Sequence, residues 1–156
     1  MIVATAKKTN NAKNRSDNVL SKYAIKYVRV STLVQGEDDK SGVDRQNEGF
    51  ERWCADHPDY TPWEDEFSDI GKSAFKDYKK RGALTAIIDL AEKGKFGYSP
   101  CLVIDSVSRL CREPQKEANK LLNRIFDAGL SISVCELGNQ IFTEKDQIVY
   151  IIFQVM

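Results

Sequence analysis

The stretch that decides the fold is Ala24-Ile25-Lys26-Tyr27-Val28-Arg29-Val30-Ser31. Its β-branched run reads as a strand. Period-two alternation puts Tyr27, Arg29 and Ser31 on one face and Val28 and Val30 on the other. The arginine two residues before the serine therefore faces the same side as the hydroxyl, at the strand's carboxyl end. A guanidinium does not deprotonate serine. It does bind phosphate oxygens bidentately and offset the negative charge that builds in phosphoryl transfer.

Outward from this strand, β-branched runs alternate with segments of helical period. Ser41–Cys54 opens with Ser-Gly-Val-Asp, a capping-box-like start with Ser41 as cap and Asp44 in the first turn. Trp63–Ser68 is a weak strand ending at Asp69. Leu84, Ile87, Ile88 and Ala91 form one apolar helical stripe, stopped by Gly94. Cys101–Val107 is a third strand. Pro114 suits the first turn of a helix whose stripe is Ala118, Leu121, Leu122 and Ile125, closed by Gly129, and Leu130–Glu136 is a fourth strand. This order predicts right-handed crossovers and an α/β fold: a mainly parallel sheet of four to five strands with helices on both faces. Sites in such sheets form beyond the carboxyl ends of the strands, here after residues 31, 69, 107 and 136.

The chain has 156 residues, 42 % of them apolar, enough for one domain with a real core. Basic and acidic side chains number 23 each, so a polybasic coat for nucleic acid is excluded and any DNA contact must be local. Residues 1–22 hold five basic side chains and one acidic, with no apolar period, and read as a flexible polar leader. The remainder, the folded unit, carries 18 basic and 22 acidic side chains. The longest apolar run, Ile148–Phe153, is far short of a membrane span and no signal-peptide stretch opens the chain, so a soluble, cytoplasmic protein is expected. Ile148, Ile151, Ile152 and Val155 keep a helical period in a segment apolar nearly all round. That pattern leaves helix and strand open, and suggests over 143–156 the start of a long interface helix belonging to a longer chain.

Cys54, Cys101, Cys111 and Cys135 are widely spaced, and His57 is the only histidine. No metal site is supported, and the cysteines read as small buried hydrophobes. A second arginine cluster, Ser108-Arg109-Leu110-Cys111-Arg112, follows the third strand and would present two guanidinium forks beside a helix N-terminus.

Together these residues resemble the catalytic domain of the serine recombinases, the resolvase, invertase and large serine integrase family. The likeness runs through Tyr27-x-Arg29-x-Ser31, Gln35, Asp44-Arg45-Gln46, Asp69-Ile70-Gly71-Lys72-Ser73-Ala74-Phe75, Arg81 with Gly82 and Leu84, and Ser108-Arg109-Leu110-x-Arg112. The long Ser31-to-Gln46 spacing and the Asp-x-Gly-x-Ser-Ala-Phe stretch resemble the large integrase and transposon-type branch more than the small resolvases. The resemblance implies a resolvase-like catalytic domain over 23–142 and a transesterification that needs neither metal nor ATP. Ser31 would attack a DNA phosphodiester and form a 5′-phosphoserine intermediate. Arg29, Arg109 and Arg112 would surround the phosphate and Arg81 would contact it. Gln35 and Gln46 would hydrogen-bond around the serine, and Asp69 would order the arginines or the active-site loop. The implied partners are double-stranded DNA, a further C-terminal DNA-binding region, and copies of the same chain in a dimer or tetramer.

One position departs from the family. An aspartate commonly precedes Arg-Leu-x-Arg, and Ser108 stands there. Ser108 is expected to hydrogen-bond the cluster in its place. Asp105 is close in sequence, but strand alternation would send it to the opposite face. Two other readings compete: a receiver-like or flavodoxin-like binding module, for which the first strand lacks the acidic pair or phosphate loop, and a catalytically silent α/β assembly domain.

Overall fold

The computed structural model of the protein describes residues 22–30, 37–70, 82–110 and 115–155. Its centre is β1 (Lys22–Val30), which starts at the last residue of the expected leader; residues 1–21 lie outside the described part. Two short strands pair with β1 in turn, both parallel: β2 (Tyr60–Pro62) from Lys22 to Ala24, and β3 (Phe67–Ile70) from Tyr27 to Val30. Trp63 lies between them, its amide donating to the Ala24 carbonyl at 2.9 Å. The expected strand over 63–68 is thus displaced and split.

β4 (Cys101–Ile104) runs parallel to β1, β5 (Ser131–Val134) parallel to β4, and β6 (Ile141–Phe142) antiparallel to β5. Among the described residues the sheet has six strands in the order β2-β1-β4-β5-β6, with β3 on β1. It is mainly parallel, as the alternation predicts. β2 and β6 are too short to show a sequence period, which is why four to five strands were expected.

Helices cover both faces. On one face α1 (Glu37–Asp56) seats Trp53 over Ala24, Cys101 and Val103. Trp53 is fully buried, and its indole Nε1 donates to Ser133 Oγ at 2.8 Å, so the large ring is buried without losing its polar bond. α1 starts at Glu37, so Ser41 is interior to the helix and does not cap it. The acidic residue types at 37–39 suit the positive end of a helix dipole, and they extend the helix a turn upstream.

On the other face, α2 (Gly82–Glu92) buries Leu84, Ile87, Ile88 and Ala91, the stripe read from the sequence. α3 (Val107–Leu110) is a single turn where a strand was expected to continue through Val107: β4 ends at Ile104, and Asp105-Ser106 form a bend. Asp and Ser favour such turns through local hydrogen bonds. α4 (Gln115–Asp127) buries Ala118, Leu121, Leu122 and Ile125 in the same core as Leu102, Ile104, Ile132 and Val134. Each such aliphatic side chain contributes about 1.5–3 kcal/mol on burial. Gly129 follows α4 with φ +93°, a conformation that favours glycine, and turns the chain into β5. β5 ends at Val134; Cys135–Leu137 turn as a 3-10 helix, where the sequence had suggested strand as far as Glu136.

The C-terminal segment is helical, α5 (Gln147–Val155). It packs on α4 through Phe126 and Tyr150, and the Tyr150 hydroxyl donates to Asn123 Oδ1 at 2.7 Å. The buried residues are Val149 and Phe153, whereas Ile148 and Ile151 are 55 % and 58 % exposed. Ile148 and Ile151 of the expected stripe therefore face away from the core, whereas Ile152 packs against it half-buried. Among the described residues no helix is long and apolar enough to cross a membrane.

Candidate active site

Arg29 occupies the next-to-last position of β1 and is 1 % exposed. Its Nε donates to the Arg109 carbonyl at 3.0 Å, and its Nη2 donates to the Ser108 carbonyl. In return Arg109 Nη1 donates to the Arg29 carbonyl at 3.1 Å. The two arginines, 80 positions apart, are thus locked by reciprocal bonds between side chain and main chain. This happens because β4 runs beside β1 and ends in the α3 turn, which brings the Ser108 and Arg109 carbonyls to the end of β1. The expectation was an Arg29 fork on the serine's face that binds phosphate; in this arrangement two of its nitrogens hold protein carbonyls.

Gln46, on α1, is buried and contacts the same strand: its Oε1 accepts from the Arg29 amide at 3.3 Å, and its Nε2 donates to the Gly42 carbonyl at 3.2 Å. Gln46 is therefore an α1-to-β1 tie beside Arg29.

Asp69 pairs with Arg29 across β1 and β3 in register, but its carboxylate serves another purpose. Oδ2 accepts from the Tyr27 hydroxyl at 2.7 Å and from the Leu84 amide at 3.1 Å, and Oδ1 accepts from the Ala83 amide at 2.9 Å. The side chain caps α2 from outside it and anchors Tyr27, binding two amides that a helix start leaves without intrahelical partners. These bonds tie the start of α2 to β1, in register with Arg29.

Asp105 was the residue that strand alternation sent away, and here the structure corrects the sequence. Because β4 stops at Ile104, alternation no longer governs Asp105. Its Oδ2 lies 3.9 Å from Arg109 Nε and 3.6 Å from Arg45 Nε. The Asp105-Ser106 turn signal, separated from Arg109-Leu110-x-Arg112 by Val107 and Ser108, was the sequence clue. Ser108 contributes its carbonyl to Arg29, while its hydroxyl lies 2.9 Å from Ser106 Oγ. Glu136 fixes the base of the turn, its Oε1 accepting from the Val107 amide at 2.9 Å.

Four of the expected site residues, Ser31, Gln35, Arg81 and Arg112, lie outside the described residues. The expected cysteine burial holds fully for Cys101, while Cys54 and Cys135 are half-buried; all three are free thiols, and Cys111 lies outside the described residues. Burial raises the Cys101 thiol to about 12 and, with the Asp105 charge as the next cause, the Cys135 thiol to about 11. Among the described residues no three His, Cys, Asp or Glu side chains are grouped to hold a metal ion. His57 ends α1, stacked on Trp53 at 4.0 Å, with Nδ1 2.8 Å from the Trp53 carbonyl, and takes no part in the arginine cluster.

The fold is shared with solved recombinase domains. A resolvase-family site-specific recombinase from Streptococcus pneumoniae superposes with a TM-score of 0.61 at 20 % identity, over 86 % of this chain and 84 % of that one. The N-terminal catalytic domain of TP901-1 integrase superposes with a TM-score of 0.62 at 19 % identity, over 86 % and 93 %. The uncharacterized protein YbcK of Escherichia coli K12 is 32 % identical over 117 residues, which are 74 % of this chain and 23 % of YbcK, so the chain spans under a quarter of that relative's length. The family model "Resolvase, N terminal domain" matches residues 24–156, from the strand that carries Arg29 to the end of the chain. With that match spanning every element of the sheet and the arginine lock at its carboxyl edge, the chain belongs to the resolvase family of serine recombinases.

Proposed function

We propose that this is the catalytic domain of a site-specific DNA recombinase that works through Ser31. The observation that carries the reading is the Arg29–Arg109 lock: a buried guanidinium two residues before Ser31, tied through main-chain carbonyls to a second arginine brought in from α3. A buried cation needs strong compensation, and here main-chain carbonyls provide it, so positive charge is held permanently at the sheet's carboxyl edge.

In the reaction, Ser31 Oγ loses its proton as it bonds to a DNA phosphorus. The bond from phosphorus to the 3′ oxygen breaks, and that oxygen takes up a proton and leaves as a 3′-hydroxyl. The 5′ end stays on the protein as a phosphoserine ester. Arg109, with Arg112 and Arg81, offsets charge on the phosphate, while Arg29 acts from inside the fold by fixing α3 and lending its charge at short range. Gln46 and Gln35 order the strand end and the serine. One ester replaces another, so the strands can be exchanged and resealed without ATP. Duplex DNA is the partner, with further copies of the chain in a dimer or tetramer and site reading in a DNA-binding region beyond the matched domain.

The test uses the full chain with plasmid DNA that flanks its gene, trapped on nicked crossover duplexes. The expected result is a protein–DNA adduct that survives denaturant and disappears in Ser31→Ala. An assembly module, the competing reading, gives no adduct from the unaltered protein.

A further inference from the structure

The cluster contains a carboxylate that the family pattern does not supply. Asp105 sits in the bend between β4 and α3 with its side chain 16 % exposed, facing Arg109 on one side and Arg45 on the other. Its setting is built rather than incidental. The Asp105 carbonyl accepts from the Glu136 amide at 3.0 Å, and Glu136 in turn caps α3. Gly49 on α1 borders the same spot: a Cβ there would be in ordinary contact, at 3.7 Å, with Asp105 Oδ1 and with Cys135 Sγ. Arg52, Asp56, Glu136 and Asn139 line the remaining sides of the same cleft.

We propose that Asp105 is the positioning carboxylate of the arginine cluster, performing from the bend before α3 the task that an aspartate at the position of Ser108 performs in the family. The proposal rests on the phosphoryl-transfer reading above. Arg109 is held at Nη1 by the Arg29 carbonyl, and the Asp105 carboxylate, 3.9 Å from its Nε, adds an electrostatic pull on the guanidinium from a second atom. A lone carboxylate beside a phosphate would repel it. Arg45, 64 % exposed on α1, shares the Asp105 charge and removes that objection. Ser108 offers a neutral hydroxyl, 2.9 Å from Ser106 Oγ, where a carboxylate would bring a charge.

The experiment measures the rate of Ser31–DNA adduct formation by the full chain, together with duplex affinity and melting temperature. Asp105→Asn is expected to slow the adduct about 10- to 100-fold, the usual cost of losing an orienting partner, with affinity and melting temperature near those of the unaltered protein. Adding Ser108→Asp to Asp105→Asn is expected to recover most of that rate, which a merely structural role for Asp105 would not allow. An Asp105→Asn protein at full rate, or a double variant as slow as the single one, overturns the proposal. Should the unaltered chain form no adduct, the recombinase reading fails, and 15N NMR of the Arg109 Nε–H decides the positioning alone. A signal displaced in Asp105→Asn supports the Arg109–Asp105 pairing, and an unchanged signal removes it.

Discussion

Arg29 and Arg109 bind each other's main chains, Nε of the first on the carbonyl of the second at 3.0 Å and Nη1 of the second on the carbonyl of the first at 3.1 Å. The pair therefore couples the end of β1 to α3 through protein groups alone. Arg29→Lys keeps the charge and loses the planar fork that reaches both the Ser108 and Arg109 carbonyls. The expected cost is about 1–3 kcal/mol, the penalty of a buried polar group left unmatched. Urea unfolding checks it, and a variant as stable as the unaltered protein would show that the lock adds nothing to the fold.

Tyr27 and Asp69 form a second tie, from β1 to the start of α2. Tyr27→Phe is expected to cost about 1.5–3 kcal/mol, as for hydrogen bonds to charged groups, and Asp69→Ala about 2–4 kcal/mol because the cap is lost as well. The two sites touch, so the double variant should cost less than the sum by about 0.5–3 kcal/mol. Strict additivity in a double-mutant cycle would count against the tie.

Much of this frame was legible in the sequence, for identifiable reasons. Leu84, Ile87, Ile88 and Ala91, and likewise Ala118, Leu121, Leu122 and Ile125, announce their helices because one face of each meets a single core. Tyr27 and Arg29 could be assigned to one strand because period-two alternation is local. What the sequence hid was settled by tertiary contact. Arg29 turns onto carbonyls delivered by a turn 80 residues away, and Asp69 spends its carboxylate on α2 amides that no spacing rule identifies. Asp105 escaped because the assumed strand ran three residues too far, to Val107, and gave it a side it does not have, the sensitivity that any period-two argument carries at a strand end. In α5 the β-branched pattern alone did not select Val149 and Phe153 over Ile148 and Ile151; the position of α4 did.

Cys101 makes stability fall at alkaline pH. Burial raises its thiol from an ordinary 9.0 to about 12, so the folded state holds a proton that the unfolded chain gives up. The contribution is fully present below pH 9 and is lost as pH rises toward the folded value, with a limiting slope of about 1.4 kcal/mol per pH unit. Tyr60, raised to about 12 chiefly by burial, adds the same sign at higher pH. Cys101→Ala is expected to be less stable at neutral pH, because it opens a cavity, yet to lose less stability between pH 9 and 11. Parallel slopes for the two proteins in denaturant titrations would contradict the assignment.

Cys135 provides a chemical reporter of the Asp105 charge. Its Sγ lies 3.7 Å from the Gly49 carbonyl, and its thiol is pushed up to about 11, first by burial and then by Asp105, with Arg52 pulling the other way. Little thiolate is present near pH 8, so alkylation by iodoacetamide should be slow relative to a free thiol, since the thiolate is the attacking form. Asp105→Asn removes the negative charge but not the burial. It should lower the Cys135 pKa and speed its alkylation, read by peptide mapping, while fully buried Cys101 stays unreactive in both proteins. Equal rates at Cys135 would mean that the Asp105 carboxylate is directed elsewhere in solution, and the arginines would then have to be oriented without it.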